Sequence, residues 1–151
     1  MKVRAADGYK LLSGMVSQVC IHPSLANNST VQGYARELSA YLNGASVSGR
    51  LGKNGGFERN TNATQSGILK IHIKIPGSGY WPTNLSQVKR TSNDYLVYVR
   101  HWDYNEKYQI LAIITPDAHE RIDGLLPDLI KIAEKCFHDL NDNQLKQLTY
   151  Y

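Results

Sequence analysis

With 151 residues, 42% of them hydrophobic, the chain is long enough for one domain with a core of its own. Its net charge of +4 is too small to mark a nucleic-acid binder unaided, but it is unevenly placed: residues 1–100 hold 12 Lys/Arg against 4 Asp/Glu, residues 101–151 hold 5 against 9. No run approaches the ~20 apolar residues of a membrane span, and Met1–Asp7 is not followed by the apolar stretch of a secretory leader, so a cytoplasmic protein with no membrane partner is expected.

In chain order, Leu12, Met15, Val16, Val19 and Cys20 fall at helical spacing, which predicts a helix over Tyr9–Ile21, with an initial strand near Lys2–Ala5 as an option. Ser29-Thr-Val-Gln32 has the form of a capping box and predicts a second helix carrying Tyr34, Leu38, Tyr41 and Leu42, ended by Asn43-Gly44. Ala45–Gly67, rich in Gly, Ser, Asn and Thr, reads as a long, mobile, basic loop.

Ile68–Ile75 alternates apolar and cationic residues, a half-buried strand whose outward row would be Lys70, His72 and Lys74. Pro76-Gly-Ser-Gly79 breaks the sheet. Asp94–His101 reads as the next strand, Trp102–Lys107 as a hairpin loop and Tyr108–Thr115 as an apolar, central strand. A last helix, capped by Asp123 with Pro127 in its first turn, would bury Leu126, Leu129, Ile130, Ala133, Cys136 and Phe137, followed by a polar tail over Asn141–Tyr151. Cys20 and Cys136 both fall on apolar stripes, as buried free thiols would. The order predicts an α+β fold: an antiparallel sheet of three to five strands packed with N-terminal helices and a C-terminal helix.

The candidate chemistry lies between Ile68 and Phe137. The Lys70/His72/Lys74 row suits contact with a phosphate backbone, although a solvated strand face would look the same. Arg90 can grip a phosphate bidentately or pair with Asp94. Arg100 or His101 should lie near an edge or the active face. His119 stands just past an apolar strand, where an imidazole suits proton transfer, with Asp117 and Glu120 close enough to orient it. No Cys/His spacing resembles a zinc site, the acidic residues form no metal-binding cluster, and Gly44–Gly49 lacks the Lys-Ser/Thr of a P-loop. Nothing in the sequence asks for a cofactor. The remaining set of Lys, Arg, His and Tyr suits metal-free RNA cleavage by 2′-OH attack, which needs a base, an acid and cations.

With these residues in view, the sequence resembles the YafO family of type II toxins, within the RelE-like group of mRNA interferases. The resemblance rests on Ile71-His72-Ile73, Tyr80-Trp81-Pro82 with Leu85, Arg90-Thr91-Ser92, Leu96-Val97-Tyr98, Leu111-Ala112-Ile113 and Pro116-Asp117-Ala118-His119. Ala133-Glu134 and Phe137 add to it, and Tyr41–Gly52 matches more weakly. Together these span about half the chain, in order, with residues 1–30 and 139–151 least like the family. It implies a single RelE-like toxin domain over 1–151, an endoribonuclease that cleaves mRNA on the translating ribosome, and a cognate antitoxin wrapped over the basic face. By position, Arg90 resembles the phosphate-stabilising arginine, His119 the acid/base residue, and His72 and Lys74 substrate-facing residues. Lys70, Lys74, Lys89, Tyr80, Trp81 and Arg100 are expected to contact RNA, and Asp117 to orient His119. A non-catalytic RNA- or ribosome-binding module, with Tyr80 and Trp81 stacking on bases, is the competing expectation. A protein-interaction domain with a cationic face is a third.

Overall fold

A computed structural model of the chain describes residues 15–151. Five strands form one sheet in the order β1-β5-β4-β3-β2: β1 (Gln18–Ile21), β2 (Leu51–Gly56), β3 (Ile68–Ile73), β4 (Tyr95–Arg100) and β5 (Lys107–Ile114). Around it lie α1 (Ser29–Leu42), α2 (Thr61–Gln65), α3 (Ala118–Ala133) and α4 (Asp142–Lys146). The fold is α+β with a C-terminal helical region, consistent with the RelE-like architecture. The β2–β3, β3–β4 and β4–β5 pairs are antiparallel; β1 runs parallel to β5, so the sheet is mixed rather than wholly antiparallel.

The period-2 alternation sends each strand's side chains to two cores. Ile68, Tyr95, Val97, Val99 and Leu111 meet Ile122, Leu126, Ala133 and Phe137 from α3 and the turn after it. On the opposite face Ile71, Ile73, Leu96, Tyr98 and Ile110 meet Val31, Tyr34, Ala35 and Leu38 of α1. Burying each such aliphatic side chain stabilises the fold by roughly 1.5–3 kcal/mol before entropy is counted. Both faces are thus covered along most of β4, the middle strand. β5 is interior but flanks it, beside β1.

Several expectations need correction. The helix expected over Tyr9–Ile21 is, in its described part, strand β1; Val19, Cys20 and Ile21 are buried beside β5. The strand option near Lys2–Ala5 lies outside the described residues. α1 starts where expected, but Asn28 rather than Ser29 is its N-cap, accepting from the Val31 N–H at 3.1 Å, and Gln32 turns back to the Ala26 carbonyl, so the capping box does not form. The mobile loop of Ala45–Gly67 is ordered into β2 and α2, the latter capped by Asn60.

α3 begins at Ala118, not at Asp123, and Pro127 lies inside it. The apolar stripe after it is buried at Leu126, Leu129, Ala133 and Phe137, with Ile130 and Cys136 partly exposed. Cys20 is buried, and both cysteines are free thiols. The polar tail contains α4, closed by a capping box between Asn141 and Gln144, with Leu145 fully buried. The Tyr151 N–H then donates to the Val19 carbonyl at 2.9 Å, along the outer edge of β1. No helix among the described residues is long and apolar enough to cross a membrane.

Candidate functional site

α3 does not reach across the whole sheet. Beside its N-terminal half, an open cleft of about 430 Å³ runs between α3 and the turn that joins β2 to α2. Lys70 and His119 line it, with Phe57, Glu58, Arg59 and Asp123. β3 supplies Lys70 because its alternation turns Ile68, Lys70 and His72 toward α3 while Ile71 and Ile73 enter the opposite core. Lys53 on the edge strand β2 is exposed and close enough to act electrostatically on both Lys70 and His72.

Beneath Lys70 and His119 lies a contiguous set of rings. Lys70 Nζ sits 4.8 Å from the centroid of the Tyr95 ring and 4.9 Å from that of Phe57, two cation–π contacts on one ammonium. The Tyr95 hydroxyl lies 3.3 Å from His119 Nδ1. His72 packs edge-on against Tyr95, ring centroids 4.9 Å apart, and its Nδ1 lies 2.8 Å from both the amide nitrogen and the carbonyl oxygen of Ser92. Lys70, His72, Tyr95 and His119 therefore form one chain of contacts from β3 across β4 to α3.

Burial tunes these groups. It pulls the His72 imidazole below its usual pKa; the Ser92 hydrogen bond opposes this, and Lys70, Lys53 and His119 reinforce it. His72 is therefore neutral at neutral pH. Burial likewise lowers the Lys70 ammonium, helped by Lys53 and resisted by Glu58 and Asp123. The Tyr95 phenol is raised by burial and then by Glu120 and Asp123, so it keeps its proton. A hydroxyl both donates and accepts, so Tyr95 can follow His119 Nδ1 through either protonation state, leaving Nε2 as the ring nitrogen for a substrate.

His119 is held by a residue the sequence did not single out. Asn93, in the β3–β4 connection, accepts the His119 backbone N–H on Oδ1 at 2.8 Å and the Ala118 N–H on its own carbonyl at 3.0 Å. Its amide donates to Glu120 at 3.1 Å. Asn93 thus caps α3 from another element. Asp117, expected to orient His119, instead occupies the left-handed region (φ 57°) at the start of α3, with no side-chain cap bond. The spacing offered no signal for this, because Asn93 and His119 are far apart in the chain.

The other predicted residues scatter. Arg90 is 3% exposed. Its guanidinium donates to the carbonyls of Leu85 at 2.9 Å, Ser48 at 3.1 Å, Pro82 at 3.2 Å and Leu51 at 3.3 Å. Those bonds commit it to holding the connection before β4 onto β2, away from the cleft, so the phosphate-gripping position expected for Arg90 is not the one it occupies. Trp81 is buried against Gly52, where an added Cβ would come within 2.8 Å of its ring, and Lys74 Nζ lies 5.1 Å from that ring's centroid. Tyr80 and Lys89 are exposed on the same connection. Arg100 is at the opposite end of β4 from Tyr95, donating to the Asn105 carbonyl at 2.8 Å, and His101 beyond it is buried rather than on an active face. Among the described residues no group of three His, Cys, Asp or Glu is arranged to hold a metal ion.

An α+β domain whose open cleft brings His119 together with two cations and two carboxylates is consistent with the architecture of a small RelE-like toxin. The model of the YafO toxin family, a toxin of type II toxin–antitoxin systems, matches residues 39–139, and the chain belongs to that family. Membership implies an antitoxin as partner. The matched span includes every residue of the cleft described above. No curated protein and no solved structure matches the chain.

Proposed function

We propose that the protein is the endoribonuclease toxin of its toxin–antitoxin pair, cleaving mRNA on the translating ribosome by transesterification at a phosphodiester. The observation that carries this reading is the convergence of Lys70 and His119 on one open cleft, both in contact with the Tyr95 side chain beneath them. In such a reaction the ribose 2′-OH attacks the adjacent phosphorus, its proton leaves to a base, and the departing 5′-oxygen receives a proton from an acid. His119, backed by Tyr95, is suited to one of these transfers. Lys70 is suited to the charge that builds on the phosphoryl oxygens, in surroundings that already strip it of water. Neutral His72 stiffens Tyr95 from behind. Lys53 and Arg59, at the cleft, follow flanking phosphates, and the cognate antitoxin neutralises the toxin by covering this face.

The test is expression of the wild type, His119→Ala and Lys70→Ala, with growth recorded and mRNA 5′ ends mapped by primer extension. The wild type should arrest growth and generate new 5′ ends; both variants should relieve arrest, His119→Ala at the wild-type melting temperature and Lys70→Ala a few degrees below it, since it gives up two cation–π contacts. Fully toxic variants would show the assignment to be wrong. Arrest by the wild type without new 5′ ends would favour a binding module that blocks translation.

A further inference from the structure

A second open groove of about 570 Å³ lies further along α3, lined by Asn62, Gln65, Trp102, Pro127, Lys131 and Glu134. Asn60 lines both this groove and the cleft that holds His119, so the two adjoin. From His119 to Lys131 the helix rises about 18 Å, a span several nucleotides long in a single strand.

Trp102 is the unusual member. It is 50% exposed, yet held through both of its N–H donors. Its indole Nε1 donates to the Gln65 carbonyl at 2.8 Å, and its backbone N–H donates to His138 Nδ1 at 3.2 Å. One face of the indole stacks on the His138 ring, with centroids 4.1 Å apart and planes 3° from parallel. His138 is locked in turn by the Ser66 carbonyl, 2.7 Å from Nε2. A large aromatic kept half in water, at a fixed angle, loses little freedom when a flat ring lies on it. The side-chain amides of Asn62 and Gln65 offer donors and acceptors, that of Asn60, whose Oδ1 caps α2, offers donors, and Lys131 offers a charge for a phosphate beside a Glu134 carboxylate already bonded to the Ser66 hydroxyl.

We infer that this groove is a substrate subsite in which a base of single-stranded RNA, several nucleotides from the scissile bond, stacks on Trp102. This rests on the endoribonuclease reading and extends it: Trp102 becomes a residue that sets which stretch of message is held. A groove that adjoins the cleft and carries side-chain amides and Lys131 suits a nucleic acid strand better than an apolar helix of a protein partner, which would leave those amides unpaired.

The experiment uses the full-length protein and two RNA oligonucleotides, a dinucleotide and a decamer, both 2′-O-methylated so that no 2′-OH can attack. Affinity is measured by fluorescence anisotropy at fixed salt. The wild type should bind the decamer at least 10-fold more tightly than the dinucleotide, with quenched tryptophan emission. Trp102→Ala should lose about 10-fold of the decamer affinity and leave the dinucleotide unchanged. Trp102→Phe should keep the affinity and lose the quenching, so the result does not hang on whether the alanine variant folds. Unchanged decamer binding in Trp102→Ala together with unchanged quenching in Trp102→Phe overturns the subsite; if the wild type still produces new mRNA 5′ ends, the endoribonuclease reading stands without it. A wild type that neither binds the decamer nor generates 5′ ends overturns both. Loss of antitoxin binding alone in the Trp102 variants overturns the subsite and assigns the groove to that partner.

Discussion

The α3 side of the sheet has a pair of histidines at each end of β4, and the two pairs are built oppositely. At the Tyr95 end, His119 is exposed, one nitrogen beside a phenol and the other open to the cleft, and His72 lies behind it. At the Arg100 end, His101 and His138 are buried, 1% and 5% exposed, and each ring bridges two backbone groups: His101 between the Phe137 carbonyl and the Asp103 N–H, His138 between the Ser66 carbonyl and the Trp102 N–H. In that arrangement Nε2 carries the hydrogen and Nδ1 accepts, so each ring is a neutral crosslink with no nitrogen to spare for chemistry. The same side chain faces an open cleft at one end of the strand and is bound into the architecture at the other, and what separates the two settings is the partner of each nitrogen.

The sharpest way to break this comparison is to remove a histidine from each end. His119→Ala should lower mRNA cleavage by about 100-fold or more, the usual loss for a positioned acid or base, with little change in melting temperature because the ring is exposed. Lys70→Ala should act similarly on cleavage. His138→Ala should do the reverse. It leaves a cavity under Trp102 and unpairs two backbone groups, a cost of about 2 kcal/mol and a melting temperature lower by about 4–8 °C, with cleavage per folded molecule retained on short substrates.

Arg90→Ala belongs with the architectural class and should be its most severe member. Four carbonyls lose their donor at a buried site, a loss of about 3 kcal/mol or a melting temperature on the order of 10 °C lower. Arg90→Lys should rescue little, since one ammonium cannot span carbonyls on both β2 and the connection before β4. Wild-type cleavage kinetics in an Arg90→Ala protein that melts normally would refute the structural role.

These two arginine and histidine cases mark the limit of the sequence. β3, β4 and β5 were legible because alternation and apolar runs survive any context. Lys70 and His119 were legible as candidates because they sit on or beside those strands. Arg90 was not, because a guanidinium before a strand looks the same whether it meets a phosphate or four carbonyls. β1 is hidden in the sequence because Val16, Val19 and Cys20 fit a helix as well as a strand, and only β5 and α1 decide between them. β2, with three glycines in Leu51–Gly56, has almost no strand character until β3 and the Arg90 carbonyl pair with it. The α3 start moved back from Asp123 because its cap comes from Asn93, a contact no local pattern encodes.

Acid should probe the same comparison more gently. Burial lowers the pKa of His138, and of His72 and His22, below the ordinary 6.5. A histidine whose folded pKa is depressed binds a proton more readily when unfolded, so stability is full above about pH 6.5 and falls as the pH drops below it. Denaturation midpoints should therefore be flat from pH 7 to 8 and decline toward pH 5. His138→Gln, which can still donate to Ser66 and accept from Trp102, should keep the neutral-pH stability and flatten part of the decline. An unchanged acid limb in that variant would assign the decline to the other histidines.

The smallest expected effect tests how His119 is aimed. Asn93→Ala removes a helix cap, at a cost of about 1 kcal/mol, and frees the first turn of α3 that carries His119 beside Tyr95. Asn93→Asp keeps the acceptor for the His119 N–H but loses the donor to Glu120, whose carboxyl the Asn93 bond holds below its usual pKa. If Asn93 positions the imidazole, the alanine variant should slow cleavage several-fold beyond its stability loss, and the aspartate variant should recover most of the rate while leaving two carboxylates facing each other. A rate loss in both variants that simply follows their melting temperatures would reduce Asn93 to a cap, and would leave Tyr95 as the group that decides where His119 points.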